Sequence, residues 1–186
     1  MKTRHLIFIL LFSIAPIFAQ NIPYGQNPKY KSSLNPKYNS NINPQFSSEI
    51  NPKYTSRINP RFNSSLNPNY TSSINPKYTT QLNPQYNSKI NPEYSTRLNP
   101  LYRSWEGKYL FNILAEPYGV LVYANPNIYL YFDLNGKWLG YFVRAKTNYN
   151  LFTRDGNWTG QYLSSDSNGG YNLFDEDGTW TENYVK

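Results

Sequence analysis

The chain of 186 residues contains no cysteine and a single histidine, His5. Without cysteine it forms no disulfide, and with one histidine near the N-terminus it has neither a Cys/His zinc site nor a histidine-activated nucleophile. We therefore expect a non-catalytic protein with no metal and no cofactor. Its fold must be stabilised by backbone hydrogen bonds, aromatic packing or self-association, since disulfides are absent.

Long apolar runs are also scarce, and the one that exists spans Leu6 to Phe18. It follows a basic start and precedes Ala19, which is the pattern of a secretory signal peptide. A run of about thirteen residues is shorter than the roughly twenty that a membrane-spanning helix needs. The sequence predicts a signal peptide at 1–19, cleaved near Ala19. The mature chain is predicted to be secreted and extracellular, with no membrane span.

After a short leader at 20–26, residues 27–104 are ten consecutive copies of the octapeptide Asn-Pro-x-Tyr/Phe-x-Ser/Thr-x-Ile/Leu, the last without its aliphatic residue. A unit this small cannot hold an active site, so we expect this array to act through length, valence or self-association. Basic residues outnumber acidic ones nine to two within 27–102, whereas acids outnumber bases nine to six within 104–186. The two halves are therefore opposite in charge.

The repeated residues other than Asn occupy the even positions of the octapeptide, and a period of two predicts an extended chain. The Asn-Pro step interrupts that chain, and the Asn side chain favours a turn there. Ordering eight residues costs about 12 kcal/mol, whereas burying one Tyr and one Ile returns about 4 to 6 kcal/mol, so one repeat cannot fold alone. The array is predicted to be a β-solenoid, a laterally stacked fibre or an extended stalk.

The array contains three rows of side chains with alternative roles. The aromatic row either packs internally or self-associates and stacks on sugars; it comprises Tyr30, Tyr38, Phe46, Tyr54, Phe62, Tyr70, Tyr78, Tyr86, Tyr94 and Tyr102. The hydroxyl row either carries O-linked glycan or hydrogen-bonds near the turns; it comprises Ser32, Ser40, Ser48, Ser56, Ser64, Ser72, Thr80, Ser88, Thr96 and Ser104. The basic row either contacts acidic polymers or keeps the array soluble; it comprises Lys29, Lys37, Lys53, Arg57, Arg61, Lys77, Lys89 and Arg97.

Residues 105–186 contain three related hairpins, each with a turn sequence: Asn135-Gly136, Asp155-Gly156 or Asp177-Gly178. These dipeptides predict two-residue type I′ turns. The predicted register puts Asp133 opposite Trp138, Thr153 opposite Trp158 and Asp175 opposite Trp180. It also puts each Trp on the Tyr/Leu face, which is the predicted core, and turns Phe132, Phe152 and Phe174 to the other face.

Two further strands, one within 109–114 and one within 120–123, complete about eight strands. The fold class is therefore predicted to be all-β, with the array followed by an antiparallel β-hairpin meander at 105–186.

The recurrence of an aromatic residue, a polar turn, Gly, any residue and Trp across 129–184 resembles the hairpin repeats of bacterial cell-wall-binding modules of the choline-binding type. This resemblance implies a surface-binding or glycan-binding module that binds between successive hairpins through aromatic side chains. The candidate stacking residues are Trp138, Trp158, Trp180, Tyr141, Tyr162 and Tyr184. A core role is the alternative for each Trp.

Two sets of acidic residues are candidate sites. The run Asp175-Glu176-Asp177 offers oxygen ligands to calcium but lacks the spaced ligands of a loop site. A glycosidase needs two facing carboxylates about 5 to 9 Å apart, and no spacing selects a pair. The acids considered for that pair are Glu106, Glu116, Asp133 and Asp175.

The leading hypothesis is a secreted, non-catalytic structural or adhesion protein whose array is a spacer or fibre-forming element. Its hairpin domain would bind a surface or a glycan. The alternatives are a self-assembling fibril in which the basic array of one subunit meets the acidic domain of the next, a carbohydrate-binding module and a carboxylate glycosidase. The expected partners are other copies of the chain, cell-surface polysaccharide and acidic polymers.

Overall fold

The computed structural model describes residues 22–186, so the predicted signal peptide lies outside the described residues. Within that range the protein is all-β, with no α-helix. The strands are β1 (Lys108–Asn112), β2 (Pro117–Asn125), β3 (Ile128–Phe132), β4 (Trp138–Ala145), β5 (Asn148–Thr153), β6 (Trp158–Ser165), β7 (Tyr171–Phe174) and β8 (Trp180–Val185). In this part of the chain no helix has the length and apolar character needed to cross a bilayer.

The eight strands form a closed antiparallel barrel, which confirms the predicted antiparallel β structure. Each strand pairs with the next along the chain, and β8 returns to pair with β1, with Val185 opposite Leu110. Closure leaves no unpaired strand edge, so every strand has a neighbour on both sides.

One face of the sheet points into the barrel. Tyr129, Tyr149 and Tyr171 come from β3, β5 and β7, yet their successive ring centroids are 5.3 and 5.5 Å apart. Rings from alternate strands converge in this way on the concave side of a barrel. The buried side chains that complete this core are Leu110, Leu121, Phe142, Leu151, Leu163, Leu173 and Val185. The predicted core position of the Tyr and Leu residues is therefore confirmed.

The hairpin turns are wider than predicted, and the prediction of type I′ turns was wrong. Gly136 has a φ of +84° and donates its N–H to the carbonyl oxygen of Asp133 at 3.1 Å, while Asn135 keeps a negative φ. This is a type I turn closed by a left-handed glycine, which makes a three-residue loop. Trp138 consequently lies opposite Phe132 rather than Asp133. The other two hairpins repeat this register in the pairs Phe152/Trp158 and Phe174/Trp180.

The side chain before each turn explains the wider loop. The carboxylate of Asp133 accepts hydrogen bonds from the N–H groups of Asn135 and Lys137, both at 2.9 Å. Asp175 makes the corresponding bonds to Asp177 and Thr179. An Asx turn of this kind favours a type I turn. Each Trp therefore shares the outer face of the barrel with the Phe residues instead of the inner face with the Leu residues.

The array forms a succession of tight turns and, within residues 22–104, no strand. In the first turn of a repeat the Tyr N–H donates to the Asn carbonyl, as from Tyr38 to Asn35 at 3.0 Å. In the second turn the aliphatic N–H donates to a carbonyl three residues earlier, as from Leu34 to Lys31 at 3.0 Å. The 3₁₀ turns in the leader and array are Tyr24–Gln26, Ser32–Leu34, Ser40–Ile42, Ser64–Leu66, Ser72–Ile74 and Ser88–Ile90.

The extended chain predicted from the period of two is not found, and the solenoid and the stalk are not confirmed. Two four-residue turns also make a unit of eight residues. A sequence pattern at the even positions is therefore compatible with turns as well as with a strand. The buried positions are instead three consecutive residues, Ile/Leu, Asn and Pro, as at Ile58, Asn59 and Pro60. The aromatic ring of each repeat points to solvent.

The array lies against the outer face of the barrel and meets the strands in reverse order. The contacts in chain order are Leu34 with β7, Ile58 with β5, Ser64–Leu66 with β4, Ser88–Ile90 with β2 and Pro100 with β1. Leu82 and Ile90 join Val120, Val122 and Leu130 in one buried cluster. The octapeptides thus form a belt around the barrel, and the outer face of the sheet is a second core beneath that belt.

Candidate functional site

In seven of the ten repeats the Asn at the start of the repeat holds neighbouring repeats together. The side chain of Asn59 accepts a hydrogen bond from the N–H of Arg61 and donates one to the carbonyl oxygen of Pro52 in the preceding repeat, both at 2.9 Å. The first bond is the Asx turn predicted from the Asn-Pro step. The second bond satisfies a buried carbonyl group, and it explains why Asn rather than Asp or Ser fits this position.

Three asparagines of the barrel donate hydrogen bonds to the belt. Asn148 in β5 donates to the carbonyl oxygen of Ile50 at 2.7 Å, and the other two define a register. Asn172 in β7 donates its side-chain amide to the carbonyl oxygen of Leu34 at 3.1 Å, and Asn150 in β5 donates to Ile58 at 2.8 Å. Leu34 and Ile58 are three octapeptides apart, while Asn172 and Asn150 occupy the same position in consecutive hairpins. One hairpin of the barrel therefore corresponds to three octapeptides of the belt.

Ion pairs between the belt and the barrel turns follow the same register. Lys53 contacts Asp177 at 2.8 Å, and Lys77, three octapeptides later, contacts Asp155 at 3.6 Å. Lys37 pairs with Glu182. The opposite charges of the two halves of the sequence are thus paired within one chain, and all of these groups are partly exposed.

The six predicted stacking residues lie on the outer face of the barrel beneath the belt. Trp138 and Trp180 are buried and Trp158 is half-buried. Tyr141, Tyr162 and Tyr184 are fully buried, and burial raises the pKa of each of these three hydroxyls, to about 12 for Tyr184. The Asp155 carboxylate adds to the rise at Tyr141. Trp138 also lines an open cleft.

Each Trp is covered by a basic side chain, but not always from the same source. The Lys37 ammonium lies 6.0 Å from the Trp180 ring centroid, and the Arg61 guanidinium lies 5.2 Å from that of Trp158. Both cations come from the belt, three octapeptides apart. The belt residue at the next corresponding position is Gln85, which carries no charge. The cation over Trp138 comes instead from the barrel.

That cation is Arg154, from the turn between β5 and β6, with its guanidinium 4.8 Å from the Trp138 ring centroid. The equivalent residue in the last hairpin is Glu176, which binds Arg61 over Trp158 at 2.8 Å. At Trp158 a belt cation and a barrel carboxylate therefore neutralise each other. At Trp138 a barrel cation faces a neutral amide, and Arg154 makes no ion pair with any described residue.

This break in the pattern coincides with a cleft of about 420 Å³ between the belt and the barrel. The volume falls within the roughly 300 to 1,000 Å³ typical of small-ligand sites. The lining residues are Lys77, Asn83, Gln85, Trp138, Arg154 and Asp155. Two cations and one carboxylate leave one positive charge in excess. We call this space the Trp138 cleft.

Asn83 differs from the repeat asparagines on either side of it. Between Asn35 and Asn91, every repeat Asn except Asn83 donates its side-chain amide to the Pro carbonyl of the preceding repeat. Asn83 still accepts a bond from the N–H of Gln85 at 2.9 Å. Its amide donor is therefore not engaged in the belt and lies at the wall of the Trp138 cleft.

A second feature is the aromatic row of the belt. All ten rings are exposed, from 49% at Tyr30 to 78% at Tyr70. Lysines lie beside three of them, with Lys29 5.4 Å from the Tyr30 ring centroid, and the other two pairs are Lys53/Tyr54 and Lys77/Tyr78. The hydroxyl row is exposed as well. The belt thus presents a periodic outer surface of aromatic, hydroxyl and basic groups.

The acids weighed for calcium or glycosidase chemistry have partners in the fold. Asp175 and Asp133 accept hydrogen bonds within their turns, and Glu116 accepts one from Asn112. Glu106 pairs with Arg97 at 2.6 Å. In the part of the chain from residue 22 onward, no group of three or more His, Cys, Asp or Glu is arranged to hold a metal ion.

Sequence reasoning identified Trp138 but missed Asn83, Gln85, Arg154 and Lys77 as its neighbours. The signal was present in the third position of the octapeptide, where Lys37, Arg61 and Gln85 are spaced by three repeats. Of these three residues only Gln85 carries no charge. Aligning the three residues with the three hairpins would have pointed to Trp138.

No protein-family model, no curated protein and no solved structure matches this chain.

Proposed function

We propose that the protein is a secreted, non-catalytic adhesion or structural protein that binds polysaccharide through the aromatic row of its belt. The observation that supports this function is the exposure of all ten rings at the same position of ten successive repeats. The ten rings are large apolar groups that the fold leaves in solvent, and exposed apolar surface of this kind marks interaction sites. A Tyr ring offers an apolar face for a sugar ring and a hydroxyl for its polar edge.

The belt suits a long, repetitive ligand because it is held in place before binding. The backbone of each repeat is fixed by its Asn bonds and by contact with the barrel, so binding would cost little additional ordering of the chain. Many weak contacts at a regular spacing add up to strong retention on a polymer. The choline-binding-type resemblance favours the same class of function, surface or glycan binding. In this proposal the belt presents the rings, and the barrel is the support that spaces them.

The test is retention of the mature chain on insoluble polysaccharides such as cellulose, chitin, xylan and bacterial cell wall. The variant carries Tyr38→Ser, Tyr54→Ser and Tyr70→Ser, and the matched control carries Tyr→Phe at the same three positions. We expect the Ser variant to lose retention by about tenfold or more on at least one of these polymers, and the Phe control to keep it. All three rings are exposed, so both variants should fold.

Equal retention of both variants would overturn the proposal. Sedimentation of the same samples tests the alternative of a self-assembling fibril, in which the aromatic rows of neighbouring molecules contact each other. In that case the wild-type chain assembles, the Ser variant does not, and neither is retained on any polysaccharide.

A further inference from the structure

We infer that the Trp138 cleft binds a saccharide unit carrying one anionic group, such as a uronic acid within an acidic polysaccharide. The inference deepens the proposed polysaccharide binding and rests on it for the class of ligand. It adds a second site, on the seam between belt and barrel, and it specifies the charge of the sugar that the site accepts.

The equivalent site in the next hairpin is the space over the Trp158 indole. There the guanidinium of Arg61 lies over the indole and is bound by the carboxylate of Glu176 at 2.8 Å. The space over that indole is filled by a complete ion pair. A bidentate contact of guanidinium with carboxylate is the geometry that Arg favours.

At Trp138 the same arrangement lacks its carboxylate. Arg154 lies 4.8 Å from the ring centroid, and the belt supplies the amide of Gln85 where a charge of opposite sign would complete the pair. The nearby Asp155 carboxylate lies 3.6 Å from Lys77. The cleft therefore has an excess of positive charge next to an aromatic ring, and a ligand carboxylate can take the part that Glu176 plays at Trp158.

The remaining walls suit the neutral part of a sugar. The side-chain N–H group of Asn83 has no belt partner, although its oxygen accepts from the Gln85 backbone, and the Gln85 side chain adds a second amide to the cleft. Amide side chains bind sugar hydroxyls because they both donate to and accept from O–H groups, and a carboxylate accepts from them. The Trp138 ring, 8% exposed beneath Arg154, adds a small apolar contact to the wall of the cleft. A polar cleft of about 420 Å³ built from these groups is suited to a sugar rather than to an apolar ligand.

The test uses isothermal titration of the full mature chain with three probes: trigalacturonate, its methyl ester and inorganic phosphate. We expect trigalacturonate to bind at least about tenfold more tightly than the ester, because only the acid can pair with Arg154. We expect phosphate alone to bind weakly, since it makes no contact with the indole. Binding of phosphate as tight as that of trigalacturonate would overturn the assignment of a sugar site.

The decisive variant is Gln85→Glu, which places a carboxylate of the chain itself opposite Arg154. It should weaken trigalacturonate by about tenfold or more, since the cation is then already paired. The matched control is Gln45→Glu, which adds the same charge at the same repeat position, where Gln45 is exposed beside Thr179. The control should change affinity by less than about twofold, and equal loss in both variants would overturn the inference.

Arg154→Gln gives a second, independent readout. It should remove the preference for trigalacturonate over the ester rather than all binding, because the ring and the amides remain. Failure of this inference is distinguishable from failure of the proposed function. Loss of trigalacturonate binding at the cleft leaves retention by the aromatic row on neutral polymers untouched, and the Tyr→Ser variant leaves trigalacturonate binding untouched.

Discussion

The side-chain amide of Asn150 donates a hydrogen bond to the carbonyl oxygen of Ile58, 2.8 Å away, with both residues buried between belt and barrel. Asn172 makes the same bond to Leu34 three octapeptides earlier. In the β3 hairpin Leu130 occupies the position of these asparagines, and the buried cluster there contains Leu82, three octapeptides after Ile58. Equivalent positions of the three hairpins thus each carry a buried contact with the belt, and at two of them the contact is a hydrogen bond.

Asn150→Asp tests that contact. The substitution removes the donor and buries a carboxylate against a carbonyl oxygen, so we expect the free energy of unfolding to fall by about 2 to 4 kcal/mol. Urea unfolding followed by tryptophan fluorescence measures the change. The control is Asn87→Asp, whose amide donates to Gln81 at 2.7 Å in a solvent-exposed bond. It should cost less than about 1 kcal/mol, and an equal cost at both sites would show that Asn150 does not hold the belt.

Glu182→Gly is predicted to stabilise the fold. Glu182 has a φ of +61° within β8, and the equivalent residue in the preceding hairpin is Gly160, with a φ of +82°. A left-handed backbone costs an L-residue about 1 to 2 kcal/mol, whereas glycine adopts it freely. The exposed ion pair with Lys37 that would be lost contributes less, so we expect a net gain of about 0.5 to 1 kcal/mol.

Thermal unfolding should show a higher Tm for Glu182→Gly and a lower one for Gly160→Ala, which adds only a Cβ at the equivalent position. A Cβ at Gly160 would meet only ordinary contacts with Glu176, at 3.5 and 3.7 Å, so the loss there reports backbone strain rather than a clash. A drop in Tm for Glu182→Gly would show that the pair with Lys37 outweighs the strain.

The belt–barrel ion pairs are expected to contribute little to stability. Lys53 and Asp177 are both largely exposed, and pairs of that kind are worth about 0 to 1 kcal/mol. Lys53→Gln should therefore cost less than about 1 kcal/mol, and 1 M NaCl should leave the belt on the barrel. Near-identical rates of limited proteolysis within 27–104 at low and high salt would support this. Rapid cleavage at high salt would show instead that the ion pairs, and not the buried contacts, hold the belt on the barrel.

The sequence predicted the barrel half better than the belt. The hairpin turns, the strand count and the inner position of Leu151 and Leu173 follow from local turn chemistry and from the period of two. The error lay in the turn type, because the cap by Asp133 widens the loop by one residue and moves Trp138 to the outer face. A one-residue change of register exchanges the faces of a strand, so this small error changed the predicted environment of each Trp.

The belt could not be predicted from the repeat alone. Asn150 and Asn172 are polar side chains on the Phe face, a pattern typical of a solvated surface, whereas their partners are backbone carbonyl groups more than ninety residues away. Nothing local in the octapeptide specifies such a partner. The exposure of Tyr70 was unexpected for the same reason, since the ring faces solvent only because Ile, Asn and Pro bury the opposite side of the turn. The spacing of Lys37, Arg61 and Gln85 was the available clue.

The fold is expected to lose stability at alkaline pH. Burial raises the pKa of Tyr184 from 10 to about 12, and burial together with Tyr149 and Tyr129 raises that of Tyr171 to about 12. In the unfolded chain both hydroxyls ionise near pH 10, while the folded protein keeps them neutral. Their contribution to stability is therefore complete below pH 10 and is lost as the pH rises from about 10 to 12, by about 1.4 kcal/mol per pH unit for each group.

Urea midpoints at pH 8, 10 and 11.5 measure this loss. The urea midpoint of Tyr184→Phe should fall less steeply with pH than that of the wild type, because one fewer hydroxyl ionises in the unfolded chain. Tyr86→Phe, at a ring that is 74% exposed, is the matched control and should leave the decline as it is. If Tyr184→Phe and wild type decline in parallel above pH 10, the Tyr184 hydroxyl reaches water in the folded protein, and the belt does not seal the outer face of the barrel at that point.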